Sequence, residues 1–394
     1  MKLANVLRSV ALVLASGVPS MAQQVPCGGD FSGWLAGVKA EAVRSGHDAG
    51  AVDEFFANAR PDAKVLQADR SQGVFRKTFL EFSQSLISDS RMKNGKAAAG
   101  KYAGVFQRMQ ADYGISPGVI SAFWAFETDF GQVQGEFNTL NALVTLAHDC
   151  RRPDLFRPQV LAALTLYEMG DFDPARTTGA WAGEVGMVQM LPRDILERGV
   201  DGDGDGKITL KTSIPDALLS GAAMLASFGW QPNQPWLQEV VVPPGLDWAK
   251  TGLDTELPMA QWAAMGVEGR NGALPRGLSG SILLPQGRKG PAFMVYPNYR
   301  VLFEWNKSFV YVTTAAYFAT RLEGAPPYDA GTPDPALTAD QMIALQKKLA
   351  ERGHDVGKID GILGAATRIA VQKEQIRLGL PADAWPTREL LAGL

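Results

Sequence analysis

Histidine and cysteine are scarce in these 394 residues, and neither sign of charge dominates. The three histidines, His47, His148 and His354, do not stand at ligand spacing from one another, which argues against a zinc hydrolase. Lysine and arginine number 38 against 41 aspartates and glutamates, so no basic excess points to nucleic acid. Beyond residue 22 no stretch is long and apolar enough to span a bilayer.

The N-terminus carries an export pattern. Lys2 and Arg8 give a positive start, Val10-Ala-Leu-Val-Leu-Ala-Ser-Gly an apolar run, and Ser20-Met21-Ala22 a small-x-small cleavage site. Residues 1–22 therefore read as a signal peptide, with the mature chain expected to begin near Gln23. The run is too short for a permanent anchor, and Cys27 does not follow a lipobox, so no membrane anchor is expected. An exported, soluble, periplasmic protein is the expectation. Both cysteines, Cys27 and Cys150, lie in the mature region, and an oxidising compartment favours their pairing over two separate thiols.

The rest of the chain reads as mainly helical with a minor β component. Apolar residues recur at helical spacing from about 28 to 110. Ser116-Pro117 looks like an N-cap with proline in the first helical position, opening a helix through Glu127 that stops near Gly131. Further helices are expected at about 158–169, 215–228 and 308–322. Between 236 and 281 the periodicity is weak. Glu239-Val-Val-Val, Phe293-Met-Val-Tyr and Val301-Leu-Phe-Glu-Trp suit short strands. A Pro- and Gly-rich linker, 325–336, separates a large domain, 23–324, from a small one, 337–394. The small domain opens on a capping-box signature, Thr338-x-x-Gln341.

One residue breaks the local pattern. Phe123, Glu127 and Phe130 are spaced to share a helix face, and a carboxylate on an apolar stripe is costly unless paired or neutral. Burial against aromatic rings raises a glutamate's pKa, as a general acid working near neutral pH requires. The plainer alternative is an ion pair with Arg108 or Arg151.

Several blocks favour the catalytic reading by resemblance. Glu127-Thr-Asp-Phe-Gly is similar to the Glu-Ser-x-x-Gly motif of lytic transglycosylases with a lysozyme-like fold. Trp181-Ala-Gly-Glu-Val-Gly-Met-Val-Gln-Met-Leu-Pro, Val200-Asp-Gly-Asp-Gly-Asp-Gly-Lys-Ile, Asp216-Ala…Phe228-Gly-Trp230 and Trp305-Asn-Lys-Ser…Tyr311 follow in order. Together they resemble the membrane-bound lytic transglycosylase B family over most of residues 30–322. The resemblance implies non-hydrolytic cleavage of peptidoglycan glycan strands between N-acetylmuramic acid and N-acetylglucosamine, leaving 1,6-anhydromuramic ends. Glu127 would serve as acid and then base, with no cofactor required. It further implies that Gln189, Trp305, Asn306 and Tyr311 contact substrate, and that partners are the glycan strands and cell-wall synthesis or division proteins. Trp305 stands where the family usually has Tyr, Ala180 where it often has Ser, and Glu184 where it has a small residue. Glu184 or Asp129 would have to activate water in a muramidase, the rival chemistry. A non-catalytic wall-binding scaffold is the rival from another class.

Asp201, Asp203 and Asp205 with Gly206 match the opening of an EF-hand loop, in which Lys207 would offer its backbone carbonyl. The twelfth position is Thr212 rather than glutamate, so an ordinary EF-hand is excluded. The family resemblance implies a later acidic ligand, for which Asp216 is the candidate, around a structural calcium. The tail, with Leu345-Gln, Asp360-Gly361-x-x-Gly364 and Ala366-Thr367 in order, is similar to the three-helix peptidoglycan-binding module. Its usual Phe-Gln is Val371-Gln372 here.

Overall fold

The computed structural model describes residues 25–71 and 77–394, so the expected signal peptide lies outside the described residues. Six helices fill the N-terminal third: Phe31–Arg44, Ala49–Phe56, Ala63–Arg70, Phe79–Leu86, Asp89–Lys101 and Ala103–Tyr113. Side-chain caps start most of them. Asp30 accepts from the Gly33 amide, and Thr78 with Glu81 forms a full capping box. This layer is fastened to the middle of the chain by the expected Cys27–Cys150 disulfide and by a buried ion pair, Arg157 to Glu41 at 2.5 Å.

The central helix, Pro117–Thr128, is buried along almost its whole length and packs against Phe309–Leu322. Thr139–His148 and Pro153–Met169 pack side by side. The latter starts five residues earlier than expected, at Pro153 in the first helical position, and carries Pro158 inside. The expected strand at 301–305 is instead the end of a helix, Pro297–Trp305. Its buried residues Asn298, Tyr299, Val301 and Leu302 fall at helical spacing, and Pro297 presets the first turn.

The β component is a two-stranded antiparallel pair, Phe137–Asn138 with Thr178–Gly179, and a five-stranded antiparallel sheet. The five-stranded sheet runs in the order Leu257–Pro258, Ser279–Leu283, Phe293–Val295, Leu237–Val241 and Glu268–Gly269. It covers a second core around Trp262, Ile282, Met294 and Tyr296. Two of its strands lie where the sequence suggested them, at 239–241 and 293–295.

The tail has three helices, Ala339–Glu351, Ala365–Arg377 and Arg388–Gly393, with its own core of Leu345, Leu349, Val371 and Leu390. Gln346 explains the Leu-Gln and Asp-Gly features together. Its buried amide accepts from the Asp360 and Gly361 amides and donates to the Lys358 and Ile362 carbonyls, so one side chain closes the turn. Gly361 turns there at φ +79°, a left-handed conformation that favours glycine.

The tail does not swing from its linker. Arg368 donates to the Leu284 and Pro285 carbonyls and lies 4.1 Å over the Phe309 ring; burial lowers its pKa to about 9. Gln372 donates to the Trp248 and Thr251 carbonyls, and Arg288 pairs with Asp383. The linker is laid down as well. Tyr328 packs into the main core, Trp385 donates to the Asp334 carbonyl, and Lys289 pairs with Asp334.

Candidate active site

Glu127 sits in the last turn of the central helix, half-buried, with the aromatic rings of two other helices around it. The helix ends abruptly behind it. Asp129 and Phe130 both adopt left-handed backbone, at φ 50° and 60°, and Gly131 follows at 86°. Two non-glycine residues in that region carry strain and need support. Arg91 supplies part of it, donating to Asp129 at 3.0 Å. Thr128 supplies the rest, with its hydroxyl donating to the Met187 carbonyl at 2.6 Å and accepting from the Gly131 amide. The same threonine therefore joins the Glu127 helix to the 181–190 loop.

Among the described residues no arginine pairs with Glu127. Arg108 bonds to Asp112 and the Gly202 carbonyl, and Arg151 to Asp69. The Glu127 carboxyl instead meets two neutral donors, both on Oε1: the Tyr311 hydroxyl at 2.5 Å and the Trp305 indole N–H at 3.1 Å. Burial raises its pKa from the usual 4.5 to about 7, the two hydrogen bonds hold that rise back, and the Glu184 charge adds to it. The carboxylate also lies at the negative end of a helix, which further disfavours the anion. Burial and the neighbouring glutamate push the Tyr311 phenol well above its ordinary value, so it stays protonated as a donor.

The 181–190 loop adjoins Glu127 through the Thr128–Met187 bond and the Glu184 charge. Glu184 is raised by burial, and one of its carboxylate oxygens is buried without a partner. Gln189 has left-handed backbone, φ 54°, and its amide nitrogen is committed to the Gly186 and Gln134 carbonyls. Its side chain thus first fixes the loop, and what it can offer a sugar is the amide oxygen. Asn306 follows the helix Pro297–Trp305 and accepts from the Ser308 amide, setting the turn into the Tyr311 helix. The structure thus brings Glu127, Trp305 and Tyr311 into direct contact, while Gln189 and Asn306 are tied to their own loops. Sequence reasoning counted Trp305 among the substrate contacts and overlooked its N–H on Glu127. It also overlooked the Arg91–Asp129 pair, for which the sequence carried no signal.

Asp201, Asp203 and Asp205 place carboxylate oxygens within 4.8 Å of one another. Asp216 stands outside this group. It is fully buried, accepting from the Gly202 and Thr209 amides and from Ser213, and so staples the loop to the helix Ile214–Ser227. Ser213 links the two parts by a bond to Asp203 at 2.7 Å. The Lys207 amide donates to Asp205.

A helical domain with a small sheet, built around one half-buried carboxyl clamped by aromatic donors, defines an enzyme of the lysozyme-like transglycosylase class. The chain belongs to the SLT transglycosylase domain family, which matches residues 30–320, and a peptidoglycan binding domain matches residues 338–394. It is similar to SltB3 from Pseudomonas aeruginosa, solved in complex with NAG-anhNAM-pentapeptide. The two share 36% identity and a TM-score of 0.84, over 93% of this chain and 99% of that one. Slt35 of Escherichia coli, solved in complex with calcium, is 25% identical with a TM-score of 0.64, over 78% of this chain and 98% of that one. The membrane-bound lytic murein transglycosylase B of Escherichia coli is 28% identical over 212 residues, 53% of this chain. The chain spans about half the length of that curated relative, 56%.

Proposed function

We propose that the chain is a periplasmic lytic transglycosylase that cleaves the β-1,4 bond between N-acetylmuramic acid and N-acetylglucosamine without water. The observation that carries this is the setting of Glu127: one carboxyl clamped by the neutral donors Tyr311 and Trp305, with burial raising its pKa to about 7, able to be acid and base in turn. Protonated, it delivers its proton to the glycosidic oxygen as the bond to muramic C1 breaks. The carboxylate left behind takes the proton of the muramic C6 hydroxyl, which bonds to C1 and closes a 1,6-anhydro ring. The proton is back on Glu127, and neither water nor a second enzyme carboxylate is consumed. Ordinary glycosidases need a pair of carboxyls for this work. Here the second nucleophile belongs to the substrate and gains the effective-molarity advantage of an intramolecular group. The binding of NAG-anhNAM-pentapeptide by the similar SltB3 supports the same outcome here. Of the two carboxyls that a muramidase could use to activate water, Glu184 and Asp129, Asp129 is held by Arg91.

Digestion of purified sacculi in ¹⁸O-water tests the reading. New ends free of solvent oxygen are expected, and one solvent oxygen per new end would establish hydrolysis.

The tail would act as a wall contact fixed in position relative to the cleft. The acidic loop fits a hard cation through three carboxylates and the Lys207 carbonyl, with a structural role. Lacking a bidentate twelfth ligand, it should bind calcium weakly. Millimolar calcium should raise the unfolding temperature of the native chain by a few degrees. Asp201→Ala/Asp205→Ala should remove that rise, and an equal rise in both would exclude the site.

A further inference from the structure

We propose that Trp305 is a positioning residue: its indole N–H and the Tyr311 hydroxyl together occupy Oε1 of Glu127 and leave Oε2 as the oxygen that carries the catalytic proton. The inference rests on the acid–base reading of Glu127 and adds which atom does the work.

The geometry is one-directional. An indole N–H only donates, so the atom it meets at 3.1 Å must be an acceptor. Tyr311 donates to the same atom at 2.5 Å. An oxygen receiving two donors does not also hold the acid proton. The proton therefore rests on Oε2, and the glycosidic oxygen must approach from that side.

Trp305 is itself fixed for this task. Its ring is stacked on Phe123 at 4.3 Å with the planes 19° apart, so one face is already covered. Its far edge abuts Gly221, where an added Cβ would sit 3.3 Å from the indole. A ring held on a face and an edge has little freedom to serve as an adaptable sugar platform. A tyrosine at this position could donate or accept; tryptophan makes the polarity of the contact fixed.

Both hydrogen bonds favour the ionised carboxyl and restrain the upward pull of burial. Among the described residues, the other charged or titratable groups around the site are Tyr311 on Phe309–Leu322, Glu184 on the 181–190 loop, and Arg91 on Asp89–Lys101, with its partner Asp129. On Trp305's own helix, Glu304 pairs with Lys307 at the surface. Trp305→Phe leaves all of these in place and keeps a ring on Phe123.

Two measurements test the assignment. In the native chain, the ¹⁵N-labelled indole N–H resonance, identified by its absence in Trp305→Phe, should move with a single midpoint near 7 as Glu127 titrates. A resonance flat between pH 5 and 9 would overturn the contact, whatever the enzyme's products turn out to be. In Trp305→Phe, the alkaline limb of kcat/KM should move upward by roughly half to one pH unit. The maximal kcat should fall several-fold and KM should stay within about two-fold. A rise in KM with an unmoved limb would make Trp305 a sugar platform and refute the positioning role. Anhydro ends missing from the native digest would instead refute the underlying reading, with the indole titration untouched.

Discussion

Glu127→Gln is expected to lower glycan cleavage by about 10³-fold or more, because one side chain carries both proton transfers. The protein should fold normally. Glutamine presents an amide oxygen where Oε1 now accepts from Tyr311 and Trp305, and it mimics the neutral acid in size. Stability gives a second readout with a definite sign. The folded-state pKa of about 7 lies above the ordinary 4.5, so the folded chain holds a proton that the unfolded chain has lost between those values. The native protein therefore loses stability as pH rises from about 4.5 to 7, and the penalty is complete above that window. Its upper limit is about 3 kcal/mol, from 1.36 kcal/mol per pKa unit. Glu127→Gln should melt near the native temperature at pH 5 and several degrees above it at pH 8. Equal differences at both pH values would show that Glu127 is not held neutral by its surroundings.

The second large effect concerns the disulfide. Cys27 and Cys150 are 123 residues apart, and closing so long a loop contributes about 5 kcal/mol in the chain-entropy account, with 2–5 kcal/mol typical for native bridges. The bridge also fixes local contacts. The Gly28 amide donates to the His148 carbonyl, and Phe31 and Trp34 pack edge-on around the His148 ring. Cys27→Ser/Cys150→Ser should lower the unfolding temperature by about 5–10 °C. Reduction of the native chain should do the same. A melting temperature insensitive to both would remove the bridge from any stabilising role.

Much of this architecture was legible in the chain. Ser116-Pro117 marked the start of the central helix, and Glu127 stood out because a carboxylate does not belong on its aromatic stripe. The capping box at Thr338 and the Gln346 turn read out the tail. What stayed hidden was long-range. The Trp305–Glu127 bond joins residues 178 apart, and no local rule shows which way an indole N–H will face. The residues Val301–Trp305 suited a strand by composition, yet their burial repeats at helical spacing once Pro297 sets the first turn. Asp216 entered as a candidate ligand through the family resemblance, and nothing local showed how it would be held. Its oxygens accept from two backbone amides and a serine, partners that a fully buried carboxylate requires. In the tail, Val371 stands where the resembled motif has Phe, and nothing in the sequence showed that the retained Gln372 anchors the tail to the catalytic domain.

The most direct test of the central claim is the mass of muropeptides released from purified sacculi by the native chain. Ring closure by the muramic C6 hydroxyl expels the leaving sugar with no water added. Each product should therefore be about 18 Da lighter than its hydrolysed counterpart, and Glu127→Gln should release none. Products carrying ordinary reducing ends would contradict the account and move the chemistry to a water activated near Glu184.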